Sequence, residues 1–191
     1  PLYGVVLAFN VRVLPDAEAE AEIKDVKIFK ENIIYHLMDN YLSWLNAQKE
    51  AEIEDEFAKL VKPGKLRVLE GYVFRRAKPA IFGVEILAGR IKPKLTLVRA
   101  KDGREIGEIQ QIQEKGKPLP EARIGMQVAI SMDKPVVGRH IFEKDILYVK
   151  VPEEHAKMLL STFMNKLTAE EQEVLKEYVE FMRKKVTFWA A

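Results

Sequence analysis

Hydrophobic and polar positions divide the chain into three textures. Val5 to Leu14 is an apolar, β-branched run with no leading turn, and it predicts a strand. Pro15-Asp16 opens an Ala/Glu-rich stretch to about Lys24 that predicts a short helix, and Val26-Lys27-Ile28-Phe29 alternates as a second strand. One strand–helix–strand unit is too little to cover both faces of a sheet, so the expectation is that the rest of this domain lies upstream of Pro1. From Asn32, a plausible N-cap, Ile34, Leu37, Met38, Tyr41, Leu42 and Leu45 recur at helical spacing. The stripe thins to an almost wholly polar Gln48–Glu56 and resumes at Phe57, Leu60 and Val61, ahead of Lys62-Pro63-Gly64. A helix of about thirty residues, polar all round in its middle, reads as a solvated connector.

From Leu66 the texture changes. Leu66–Leu69, Tyr72–Arg75, Ile81–Leu87, Thr96–Arg99, Glu105–Ile112, Gln127–Met132 and Ile146–Val151 are short strand patterns separated by turn signals such as Asp102-Gly103 and Lys134-Pro135. No helical pattern intervenes, which predicts a small antiparallel barrel or sandwich. Beyond Pro152 two amphipathic helices follow, to Met164 and from Thr168 to Lys185, the second headed by a Thr-Ala-Glu-Glu capping box. The fold class expected is therefore α+β, in four parts. These are a partial α/β unit (1–30), a long connecting α-helix (31–62), an antiparallel β-barrel (63–151) and a C-terminal helical subdomain (152–191).

Charge sharpens this division. The formal net charge of +2 conceals 6 Lys and Arg against 12 Asp and Glu in residues 1–61, but 19 against 10 in residues 62–151 and 6 against 7 thereafter. A barrel at +9 beside acidic segments points to a polyanionic partner. The alternative is a hot-environment protein rich in solvated charge, which does not account for the segregation. Nine cations (Arg75, Arg76, Lys78, Arg90, Lys92, Lys94, Arg99, Lys101, Arg104) fall between Arg75 and Arg104 against only Glu85 and Asp102. Most sit in turns, where they reach phosphates without reading sequence. Phe82 is a candidate stacking face for an unpaired base, with ordinary barrel core as the competing assignment.

Catalytic signatures are missing. There is no phosphate-binding loop or dinucleotide fingerprint, and His36, His140 and His155 have no metal-ligand spacing. The serines lack a nucleophile-elbow context. With no cysteine the chain has no disulfide or thiolate site, in keeping with a reducing cytoplasm, and it carries no run long enough for a membrane span. The residues read as a binding protein and not an enzyme.

Gly71-Tyr72-Val73-Phe74-Arg75-Arg76 and Pro79 through Ile91 resemble the last barrel of the archaeal and eukaryotic translation initiation factor five-B family. So do Gly107–Gln113, Glu121–Ile130 and Val137-Gly138-Arg139-His140-Ile141, while Ile33–Leu37 is similar to the start of that family's long connecting helix. The likeness runs the whole length, and bacterial initiation factor two shares the barrel pattern more distantly. The resemblance implies a ribosome-dependent GTPase that promotes subunit joining, whose GTPase domain precedes these residues. GTP and magnesium are expected only there, with no cofactor on this chain. It implies residues 1–30 as the end of a third, α/β domain, the helix as a lever, and the barrel as the holder of the acceptor end of initiator methionyl-tRNA. The two C-terminal helices would dock initiation factor one-A through Leu175, Tyr178, Val179, Met182 and Trp189, although Trp189 is equally suited to anchoring helix packing.

In the bacterial relative the acceptor-end contacts align here with Val84, with Gln113, Glu114 and Lys115, and with Gln127 and Val128. The sequence departs from it at Glu114-Lys115-Gly116, where the bacterial triplet is basic–aromatic–basic. Lys115 and Arg139 are the cations expected nearest the pocket, Val84 and Val128 suit a methionine side chain, and Arg75, Arg76 and Lys78 supply phosphate contacts. The alternative is a protein-docking adaptor whose basic barrel touches ribosomal RNA or proteins without binding tRNA.

Overall fold

The computed structural model describes residues 4–190, so Pro1, the expected truncation point of the first domain, lies outside the described residues. The chain divides into two compact units, Pro1–Lys59 and Leu60–Ala191. In the first, β1 (Val5–Phe9) and β2 (Lys27–Glu31) pair in parallel, joined by α1 (Pro15–Ile23), which carries proline in its first turn. Parallel pairing requires such a crossover. Helix α2 (Ile34–Lys59) follows, about 39 Å long at 1.5 Å per residue, and it starts two residues beyond the expected Asn32 cap. Tyr41 and Trp44 of α2 meet Phe29 edge-on at 6.0 and 5.7 Å, which seats the helix on β2. Of its apolar stripe only Leu37 is fully buried among the described residues.

The second unit is the barrel with two helices. Six antiparallel strands close a ring in the order β3 (Gly64–Arg75), β10 (Ile146–Val149), β5 (Thr96–Arg99), β6 (Glu105–Glu114), β9 (Gln127–Met132) and β4 (Ala80–Ile91), which returns to β3. Two short strands are appended, β7 (Lys117–Leu119) on β6 and β8 (Ala122–Arg123) on β4. Closure leaves no long unpaired edge, and period-two alternation sends Leu66, Val68, Phe82, Val84, Ile86, Ile112 and Ile130 into one core. The architecture is α+β, and two strands expected separately, Leu66–Leu69 and Tyr72–Arg75, are one.

That strand is irregular. Val68 pairs with Val84 and Val73 with Phe82, so β3 spends three residues more than β4 over this stretch, with Gly71 at φ +77°. One further residue is extra between Val73 and Arg75. An odd insertion reverses which side chains face inward. Leu66 and Val68 point to the core, then Val73 does, and Tyr72 and Phe74 are left outside.

Helix α3 (Glu153–Ser161) passes through a 3-10 turn at Met164–Lys166 to α4 (Ala169–Arg183). The expected capping box is present: Glu171 N–H donates to Thr168 Oγ1 (3.3 Å) and Thr168 N–H donates to Glu171 Oε2 (3.1 Å). Glu171, 2 % exposed, also accepts from Arg90 Nε at 2.9 Å, so the helix start is tied to β4. Lys65 and Tyr148 both donate to Glu177, binding the middle of α4 to β3 and β10.

Candidate nucleic-acid interface

One row of outward positions crosses four strands. Tyr72 on β3 lies over Gly83 on β4, Gly83 pairs with Ala129 on β9, and Ala129 pairs with Gln113 on β6. Two small residues in the middle of the row leave a depression between taller neighbours. The resulting surface pocket, about 620 Å³, has Gly83 and Ala129 in its lining, Leu69, Tyr72, Phe74 and Ile81 on the β3–β4 side, and Gln113, Lys115 and Gly116 at the β6–β7 turn. Gln127 and Val128 complete it. Its surface is mostly apolar, with two amides and one ammonium placed around it. That composition suits an apolar group carried on a polar or anionic stem.

Of the aligned positions the structure brings Gln113, Lys115, Gln127 and Val128 together around this pocket and leaves Val84 and Glu114 out of its lining, and the valines lie differently from the expectation. Val84 and Val128 are directly paired and face the barrel interior; Val128 reaches the pocket from its buried side and Val84 does not line it. Phe82 is 0 % exposed in the same interior layer and is core, not a stacking face. Even-numbered positions of β4 from Ala80 to Ala88 point inward, and Gly83 and Ile81 take outward places. Arg139 is exposed in the 137–141 loop and is not part of the pocket lining, so Lys115 is the cation of that pair which the fold delivers there. Tyr72, Phe74, Gly83 and Ala129 were not singled out from the sequence. The signal for them in the sequence is Gly83 inside a strand pattern, which marks close backbone approach.

Three of the nine clustered cations are ion-paired, and the other six, Lys94, Lys101 and Arg104 among them, are exposed without an ion pair among the described residues. Arg90 is bound to Glu171, Lys92 to Glu121 at 3.2 Å, and Arg99 to Asp102 and to the His140 carbonyl. These serve the fold. The Arg99 guanidinium holds the Asp102 carboxyl far below the usual carboxylate range. Arg75, Arg76 and Lys78 are exposed, without ion pairs among the described residues, and Arg75 pairs with the pocket residue Ile81 in register. Among the described residues no group of three His, Asp or Glu side chains has metal-binding geometry, and no helix is long and apolar enough to cross a membrane.

The C-terminal candidates are largely enclosed by the fold. Leu175, Tyr178, Val179 and Trp189 are buried in the unit's own packing, and Met182 is half-buried. Tyr178 meets Trp189 edge-on at 5.5 Å and Tyr148 of β10 at 5.8 Å, and burial pushes its hydroxyl up to about 12. The apolar face of α4 is taken up by the barrel because an amphipathic helix beside an antiparallel sheet buries its stripe there first. Trp189 is a packing anchor of this face.

The comparisons agree with this architecture. The family described as Elongation factor Tu domain 4 matches residues 62–148, and that described as Translation-initiation factor 2 matches residues 2–42. The chain is 54% identical over 183 residues to the probable translation initiation factor IF-2 of Hyperthermus butylicus, covering 95% of this chain and 30% of the relative. It is 52% identical to the corresponding factor of Ignicoccus hospitalis with the same coverage. The chain belongs to the IF-2/aIF5B family of translation initiation factors. The crystal structure of GDP-bound aIF5B from Aeropyrum pernix matches all of this chain and 32% of its own, at 45% identity and a TM-score of 0.68. The chain thus spans about a third of the length of its family relatives.

Proposed function

We propose that the barrel holds the aminoacylated acceptor end of initiator methionyl-tRNA, as one arm of a factor that supports ribosomal subunit joining. The observation that carries this reading is the convergence of Gln113, Lys115 and Gln127 on one apolar pocket beside the unpaired cations Arg75, Arg76 and Lys78. The pocket takes the methionine side chain against Leu69, Ile81 and Ala129. The amides bond the ester and amino groups, and the exposed cations neutralise phosphates of the single-stranded end. GTP hydrolysis belongs to residues of the whole factor outside this chain.

The test is binding of initiator methionyl-tRNA to the chain by fluorescence anisotropy. Three phosphate contacts at a slope of about −0.7 each lower affinity about twentyfold between 50 and 200 mM salt. Lys115→Ala and Gln127→Ala weaken the methionylated tRNA more than the deacylated one. Undetectable binding at low salt, or binding indifferent to salt, overturns the reading and leaves the protein-docking adaptor.

A further inference from the structure

The aromatic pair at the pocket rim is costly and unexplained by packing. Tyr72 is 54 % exposed and Phe74 65 %, with their ring centroids 6.5 Å apart in a T-shaped arrangement. Uninterrupted alternation from Leu66 and Val68 would have put both rings in the core, and the bulge in β3 turns them outward. Their placement is held from below. A Cβ on Gly83 would lie 2.7 Å from Tyr72 Cβ, so the tyrosine rests directly on the backbone of β4. The next residues, Arg75 and Arg76, and Lys78 after them, are exposed cations, and Lys115 stands at the opposite side of the same pocket. Rings flanked by unpaired cations are complementary to a base that carries its phosphate with it.

We infer that Tyr72 and Phe74 form a stacking platform for one unpaired nucleobase of a single-stranded RNA end, with Arg75 and Arg76 on its phosphates. The inference rests on the barrel's reading as an RNA holder and assigns the base to residues distinct from those that take the aminoacyl group. It also replaces Phe82, which the core encloses. The platform is indifferent to base identity, because every base offers a π face.

The experiment titrates the chain with the RNA trinucleotide CCA and with the same oligomer lacking its terminal base, followed by NMR. The expected result is an upfield ring-current shift of the terminal base protons together with shifts of the Tyr72 and Phe74 ring signals. Tyr72→Leu and Phe74→Leu each weaken binding about tenfold, whereas Tyr72→Phe and Phe74→Tyr keep it within about twofold. Both positions are exposed, so the variants fold, as circular dichroism verifies. Arg75→Ala lowers the salt dependence but leaves the ring-current shift in place. Equal binding of the oligomer lacking the base, absence of the upfield shift, or wild-type binding by the double leucine variant overturns the platform. Self-association of the chain that Tyr72→Ser and Phe74→Ser abolish, with no response to RNA, overturns it too. If the platform fails while methionyl-tRNA still binds with the expected salt dependence, the acceptor-end reading stands alone. If the trinucleotide stacks but tRNA does not bind, the reverse holds.

Discussion

A single hydrogen atom in place of a side chain decides whether the pocket exists. Gly83 needs no unusual backbone angle; its requirement is steric, because Tyr72 Cβ occupies the space a methyl group would fill and Leu69 Cδ1 lies 3.5 Å from it. Gly83→Ala therefore pushes Tyr72 off β4 and raises the pocket floor. The expected outcome is a loss of about 1–2 kcal/mol in urea unfolding, typical of overpacking, and a larger proportional loss of acceptor-end binding. Phe82, one residue earlier, responds in the opposite way. Phe82→Ala opens the core and costs about 3–5 kcal/mol, and any loss of RNA binding follows the loss of fold.

Helix α4 is attached to the barrel by two carboxylates with different duties. Glu171 closes the capping box and neutralises Arg90 from a buried position. Glu171→Ala removes both roles, with an expected cost of roughly 2–3 kcal/mol by thermal or urea unfolding. Burial pushes the Glu177 carboxyl up, but bonds from Lys65 and Tyr148 outweigh it and leave the group below its ordinary value. Its contribution is thus complete above the unfolded value of about 4.3 and disappears as pH falls through the lower folded value. The difference in urea midpoint between wild type and Glu177→Gln should stay constant from about pH 7 to 5 and close below about pH 4. These elements differ in how legible they were. Thr168-Ala-Glu-Glu announced the cap, and the alternating runs of β5 and β9 gave their limits to the residue, because both signals are local. The exposure of Tyr72 and the enclosure of Phe82 depend on the pairing register of β3 with β4, which no single run of residues contains. The amphipathic stripe of α4 was legible as a stripe, but its packing on the barrel was a tertiary outcome.

At the scale of the molecule, charge segregation and the closed barrel define one basic unit, with only some of its cations free of ion pairs. Replacing Arg75, Arg76 and Lys78 together by alanine should reduce the salt slope of tRNA binding by about 2, at about 0.7 for each lost phosphate contact, and leave the unfolding midpoint nearly unchanged. The same change at Arg90 and Arg99 should do the reverse, lowering stability through Glu171, Asp102 and the His140 carbonyl. The extra residues of β3 carry a last consequence, for how this segment tolerates changes of length. Between Val68 and Val73, deleting two residues preserves the odd excess over β4 and keeps the rings outside. Deleting one or three also keeps them outside, because the separation from Val68 and the excess over β4 change parity together while Val73 stays opposite Phe82. Variation in this loop is therefore constrained by the Val73–Phe82 pairing more than by length.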